Sequence, residues 1–125
     1  MKFKAMMVVK ALICIGFGIP MVVIPGRLMS VFGVALTVGG IFMARLYGAT
    51  LLGNFMLTWL GRKITAPDAR HAISVHLVVY DAIGFVVALL ATLSGVMNVL
   101  GWAVVAIYFF VTLGFGAFLA KPSAA

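Results

Sequence analysis

Three ionisable side chains lie within long apolar stretches of this sequence: Arg45, His76 and Asp81. Ionisable groups are costly inside a bilayer, so they mark candidate proton, ion or ligand sites. Asp81 is the strongest candidate, because the only other acidic residue, Asp68, lies in a polar stretch. A buried carboxylate must be neutral or paired. We expect Asp81 to be a structural carboxyl group, bonded to Asn54 or reached by Arg45. The functional alternative is that it relays a proton or cation or anchors a ligand.

The other polar groups in the apolar stretches fit structural roles. We expect Arg45 to anchor its helix at the headgroups and Asn54 to bond between helices, while Tyr80 adjoins Asp81 as part of the candidate site. His71 and His76 point about 140° apart on one helix, so they cannot ligate one metal ion. We expect His71 at the interface and His76 hydrogen-bonded to a neighbouring helix. The sequence predicts no metal and no cofactor.

Small residues recur at helical spacing, which indicates close helix packing. The pairs are Ala44 with Gly48, Ala49 with Gly53, Gly84 with Ala88, and Thr112 with Gly116. The sequence contains no phosphate-binding glycine loop, nucleophile elbow or zinc motif. No nucleophile–base pair is evident either, so we expect no enzymatic activity.

The composition indicates that these residues sit in a membrane protein. Hydrophobic residues make up 66% of the 125 residues and charged residues 9%, whereas a soluble domain carries about a quarter charged residues. The surface must therefore face lipid, where backbone groups have to be satisfied internally. The apolar runs are continuous rather than alternating, which favours helices over a barrel. The single cysteine, Cys14, excludes an internal disulfide.

Four apolar stretches are long enough to cross about 30 Å of hydrocarbon. The predicted spans cover about residues 5–24, 41–60, 73–94 and 100–119. Residues 27–40 are interrupted by glycines and are expected to form an interfacial helix or re-entrant turn, with a separate span as the alternative. We expect Thr65 to cap the third long helix, Pro67 to lie in its first turn and Gly95 to end it. Lys10, inside the first span, is expected to extend back to the interface.

The basic residues predict the orientation of these spans. The formal net charge is +7, but the basic residues flank apolar segments instead of clustering with aromatics, so we exclude a nucleic-acid partner. With both termini inside, the inner side collects Lys2, Lys4, Lys10, Arg62, Lys63, Arg70 and Lys121. The outer side has Arg27 and, near its edge, Arg45. Trp59 and Trp102 fall at the two boundaries, where amphipathic rings are favoured.

These patterns together predict an all-α integral membrane four-helix bundle. It comprises a single domain, 1–125, with cytoplasmic N- and C-termini, in the cell (inner) membrane.

The sequence around two of the candidate residues resembles a known group. The run Ala44-Arg45-Leu46-Tyr47-Gly48-Ala49, followed after the basic loop by Asp81-Ala82-Ile83-Gly84, is similar to small bacterial four-span membrane proteins of broadly DoxX-like layout. The resemblance covers most of the chain in spacing. Because some members of such groups accompany redox or respiratory partners, it implies an accessory membrane subunit.

Three functional hypotheses follow. The first is a non-catalytic accessory subunit or interaction module, embedded in the lipid bilayer and bound to a membrane-protein partner or to itself. The second is a small dimeric transporter or ion-coupled carrier that uses Asp81. The third is a binder of an apolar pigment, quinone or lipid between helices.

Overall fold

The computed structural model describes residues 2–120, which form five helices. They are α1 (Phe3–Val23), α2 (Pro25–Val31), α3 (Val38–Gly61), α4 (Pro67–Leu93) and α5 (Gly101–Ala120). The helix boundaries follow local chemistry. Pro25 occupies the first turn of α2, and the Thr37 side chain caps α3 by accepting a hydrogen bond from the Gly40 N–H at 3.0 Å. The expected all-α fold is confirmed.

Three of these helices are long and apolar enough to cross a membrane, namely α1, α4 and α5. Helix α3 has 24 residues, so its length of about 36 Å would suffice. Helix α3 is not one of these three apolar helices, because Arg45 and Asn54 lower its mean hydropathy. Helix α2 has seven residues and is about 10 Å long. The alternative of a separate span within residues 27–40 is therefore wrong.

Several polar side chains are buried beside an apolar core, while large apolar side chains are exposed, unlike the surface of a water-soluble globule. Lys10, Asn54, Thr58, Ser74 and Asp81 are buried. Large apolar side chains cover the outside of the helices, with exposed examples on every long helix such as Leu12, Leu46, Leu90 and Leu113. Contiguous apolar surface of this kind is typical of a face that contacts lipid. Together with the three apolar helices, it indicates a membrane protein.

The helices form two pairs, because α1 packs along α3 and α4 packs along α5. The pairs meet at one end, which we call the core end. There Phe3 of α1 makes edge-to-face contacts with Phe115 and Phe118 of α5, with ring centroids 6.4 and 5.6 Å apart. The same buried cluster contains Met6, Met7, Leu77 and Val111. This end is the main hydrophobic core shared by the two pairs.

At the opposite end, which we call the loop end, Asn98 connects the α4–α5 loop to the end of α2. The Asn98 N–H donates to the Phe32 carbonyl at 2.8 Å, and its side-chain amide donates to the Val31 carbonyl at 3.0 Å. Gly33, with φ of +78°, lies against Asn98 and turns the chain out of α2. The connection between α4 and α5 is thereby tied to the end of α2.

Two expected helix boundaries have different outcomes. Gly95 adopts φ of +84° just after α4 ends, as predicted. The predicted Thr65 cap is wrong, because the N-cap is Ala66 and it makes no side-chain capping bond. The reason is Pro67, which occupies the first helical position and holds the residue before it in an extended conformation.

Five basic residues lie at the core end, whereas Arg27 and Arg45 lie toward the loop end and Lys10 is buried along α1. Lys2 and Lys4 flank Phe3, the Arg70 guanidinium lies 4.8 Å from the Phe3 ring centroid, and Arg62 and Lys63 follow Gly61, which lies against Met7. Arg27 lies at the opposite end, in α2. Lys121 lies outside the described residues.

Candidate functional site

Asp81 forms a buried ion pair with Lys10. The Lys10 Nζ donates to Asp81 Oδ1 at 2.7 Å, and the two residues are 2% and 0% exposed. The expectation that Lys10 extends to the interface is wrong, and so is the expectation that Asp81 bonds to Asn54 or Arg45. Phe3, Met6, Met7, Lys10 and Cys14 share the buried face of α1. Lys10 is directed inward because it occupies this helical stripe.

The ion pair is not fully satisfied by other groups of residues 2–120. Asp81 Oδ2 is buried without a hydrogen-bond partner there. The Lys10 Nζ lies 5.1 Å from the ring centroid of Tyr80, a cation–π contact. An ion pair with an unfilled acceptor position gains less than a fully bonded one. The pair therefore has spare capacity to bond a further polar group.

Three tyrosines adjoin this pair. The Tyr47 hydroxyl of α3 is hydrogen-bonded to the Tyr108 hydroxyl of α5, and the Tyr80 hydroxyl is buried without a partner in the described chain. Gly84 makes room for Tyr108, since a Cβ at Gly84 would overlap the Tyr108 ring. Tyr47 and Tyr108 were not among the predicted site residues. Sequence spacing gives no indication that these two residues meet.

The remaining predicted polar residues lie apart from the ion pair. His76 Nε2 is 3.3 Å from Asn54 Oδ1, a contact between α4 and α3 of the kind expected for both residues. Arg45 does not reach Asp81, because its Nε donates to the Val22 carbonyl at 3.1 Å. That carbonyl is in the last turn of α1, where backbone acceptors lack helical partners. Arg45 therefore fastens the end of α1 to α3.

Some of the predicted small residues pack against a neighbouring helix, whereas others face away from the bundle. A Cβ at Gly48 would lie 3.0 Å from the Val22 backbone nitrogen, so Gly48 permits close contact of α3 with α1. Ala88 is buried and lies one turn from Gly84. In contrast, Gly53 and Gly116 have open space where a Cβ would be, Ala49 is exposed and Ala44 is half-buried. The open positions do not pack within the described chain.

A cavity of about 550 Å³ separates the two helix pairs. One end is bounded by Lys10, Asp81, Tyr47, Tyr80 and Tyr108. The other end is bounded by residues of the loop end, and the walls between them are apolar. Those further lining residues include Met29, Phe32 and Met97 at the loop end and Phe17, Leu51, Val87, Ala91 and Ile107 along the walls. The volume falls within the range of small-molecule sites, roughly 300–1,000 Å³.

Exposed residues of α3 and α4 line the cavity. Helices α3 and α4 share no extensive contact. Thr50 of α3 and Ile83 and Val87 of α4 line the cavity, yet the last two are both 61% exposed. An apolar molecule could therefore enter from the surface that surrounds the helices rather than from either end.

The arrangement has the chemistry of a binding site for an apolar molecule with a polar end. The walls offer dispersion contacts, and the ion pair and tyrosine hydroxyls offer donors and acceptors at one end only. Comparison of the chain with protein-family models, curated proteins and solved structures found no match.

Proposed function

We propose that this chain binds an apolar, quinone- or lipid-like molecule in the cavity between its helix pairs. The observation that carries the proposal is the 550 Å³ cavity, with apolar walls and with Lys10, Asp81 and three tyrosines gathered at one end. A ligand of this kind would place its polar group near Tyr80 and Asp81 and its apolar part along Ala88 and Ile107. The protein is non-catalytic in this proposal.

The proposal includes four spans in the cell (inner) membrane, with α3 as the fourth. Although Arg45 and Asn54 lower its hydropathy, α3 is long enough, and both side chains are hydrogen-bonded to neighbouring helices. The gathering of basic residues at the core end supports a cytoplasmic placement of that end. Helix α2 then lies at the outer interface. Both described ends of the chain, Lys2 and Ala120, belong to the cytoplasmic side.

Exposed apolar residues in the cavity lining support entry of the ligand from the bilayer. Ile83 and Val87 of α4 both line the cavity and are exposed, so the ligand need not cross water. A molecule that partitions into lipid is already concentrated there, which raises occupancy without strong specific contacts. This favours membrane-soluble ligands over polar solutes.

A subunit role is a second proposal, and it is compatible with the first. Ala49 and Gly53 form an open small-residue stripe on the outside of α3. Such stripes allow close approach of another transmembrane helix, from a partner membrane protein or a second copy. The carrier hypothesis using Asp81 has less support than these two, because Asp81 is paired with Lys10 and Arg45 bonds to the Val22 carbonyl instead.

A cavity-filling variant tests the binding proposal. Ala91→Phe places a ring in the cavity, whereas Ala106→Phe makes the same change at an exposed position of α5. We expect a short-tailed prenyl benzoquinone or a phospholipid to bind the parent and Ala106→Phe with equal affinity. Ala91→Phe should weaken binding at least about tenfold. Equal binding by all three proteins would place the ligand elsewhere and overturn the proposal.

A further inference from the structure

A second, smaller cavity lies at the core end, near the start of α4. Its volume is about 110 Å³, and it is lined by Thr65, Pro67, Arg70, His71 and Ser74 together with the aromatic rings of Phe3 and Phe118. Pro67, Arg70, His71 and Ser74 have the spacing of one helix face. We infer that this cavity binds a phosphate group, carried by a lipid headgroup or free in solution.

Ser74 provides the strongest argument for a ligand. It is 1% exposed, and its Oγ has no hydrogen-bond partner within residues 2–120. The hydroxyls of Thr58, Thr92 and Thr112 donate to the carbonyl four residues earlier in their helices, at 2.7–2.8 Å. Ser74 makes no such bond. Because a buried unsatisfied hydroxyl is costly, we assign its missing partner to a group bound in the cavity that Ser74 lines.

The charge around Ser74 favours an anion. The positive end of the α4 dipole lies beside the cavity, because Pro67 in the first turn of α4 lines it, and Ala66 adds no side-chain cap. Arg70 is held in place, since its Nε donates to the Ile64 carbonyl at 2.7 Å and its guanidinium lies over Phe3. Its remaining N–H groups suit phosphate oxygens. Asp68, the one acid nearby, is exposed and does not line the cavity.

The size and walls of the cavity fit a small oxyanion beside an apolar group. A volume of 110 Å³ exceeds the roughly 30 Å³ share of one water molecule several times. Phe3, Phe118 and Pro67 form an apolar side next to the polar groups. In the proposed membrane orientation this end lies at the cytoplasmic headgroup level, where phospholipid phosphates are abundant. The inference does not depend on the large cavity.

Native mass spectrometry of the delipidated full chain carrying Ala91→Phe, which fills the large cavity, tests the small site with three probes. They are a phosphatidylglycerol, a diacylglycerol with the same chains but no phosphate, and inorganic phosphate. We expect phosphatidylglycerol to bind stoichiometrically and the diacylglycerol to bind at least about tenfold more weakly. Competition by millimolar inorganic phosphate would identify the free anion as a further ligand of the same site. Absence of competition would assign the site to lipid phosphate alone.

Two variants locate the binding. Ser74→Ala removes only the hydroxyl and should weaken phosphatidylglycerol binding about tenfold. Ser94→Ala is the matched control, because Ser94 is an exposed serine just beyond the opposite end of α4. Arg70→Gln should weaken binding further. Parent-like binding by Ser74→Ala and Arg70→Gln, or equal binding of the diacylglycerol, would overturn the inference.

Discussion

At the scale of residues, the buried Lys10–Asp81 ion pair connects α1 to α4 inside the bundle. Removing one partner leaves an uncompensated buried charge, which typically costs about 3–5 kcal/mol. We expect Lys10→Met to lower the free energy of unfolding in detergent by that order. Lys4→Met makes the same change at an exposed position of α1 and should have little effect. A parent-like stability of Lys10→Met would contradict the buried pairing.

The double variant Lys10→Met with Asp81→Leu distinguishes the effect of losing the ion pair from the effect of leaving one charge without its partner. Replacement of both charges by apolar groups of similar size is often neutral or stabilising. We therefore expect the double variant to recover most of the stability lost by Lys10→Met alone. Additive losses in a double-mutant cycle would show that the two residues do not interact.

At this scale the sequence predicted the important carboxylate but not its partner. Asp81 could be identified from the sequence alone, because it is the acidic residue that lies within an apolar stretch. Lys10 was assigned to the interface from its nearness to the N-terminus. Its position on the stripe with Phe3, Met7 and Cys14 was the available indication that it faces inward. Which helix lies opposite that stripe depends on the tertiary arrangement.

At the scale of helices, contact between α1 and α3 depends on Gly48. A methyl group there would meet the Val22 backbone at 3.0 Å and its side chain at 2.8 Å. We expect Gly48→Ala to lower the thermal midpoint in detergent. Gly53→Ala is the matched change on the same helix, where the Cβ enters open space, and it should gain up to about 1 kcal/mol of helix propensity. The opposite ranking would refute the assigned packing faces.

The Asn98 connection controls the loop end of the cavity. Asn98→Ala removes the side-chain bond to the Val31 carbonyl but keeps the backbone bond to Phe32. We expect faster amide hydrogen exchange in residues 32–34 and 96–99, with unchanged exchange in α1. The measurement is hydrogen–deuterium exchange mass spectrometry. Unchanged exchange in both loops would show that this side chain does not hold them together.

Helix existence was predictable from sequence, whereas helix pairing was not. The predicted spans fall within about three residues of α1, α3 and α5, because apolar length and Gly or Pro positions determine them locally. Helix α4 begins at Pro67, which was predicted to lie in its first turn, and its polar first turns precede the predicted span of residues 73–94. The cavity lies where the two helix pairs do not pack against each other, and no local sequence pattern indicates such a gap.

At the scale of the whole molecule, the proposed orientation can be tested by chemical labelling. In a Cys14→Ala background, Ser94→Cys places a thiol at the loop end and Thr65→Cys places one at the core end, both at exposed positions. We expect a membrane-impermeant maleimide to label Ser94→Cys in intact cells and Thr65→Cys only after permeabilisation. The reverse pattern would invert the topology, and labelling of both in intact cells would exclude it.

The most direct test of the account is native mass spectrometry of the parent chain extracted gently from its own membranes, with Ala91→Phe and Ala106→Phe extracted alongside. We expect the parent and Ala106→Phe to carry a stoichiometric apolar molecule, identifiable after organic extraction, that Ala91→Phe lacks. Parent protein without such a molecule, or equal retention by all three proteins, would contradict binding in the cavity between the helix pairs.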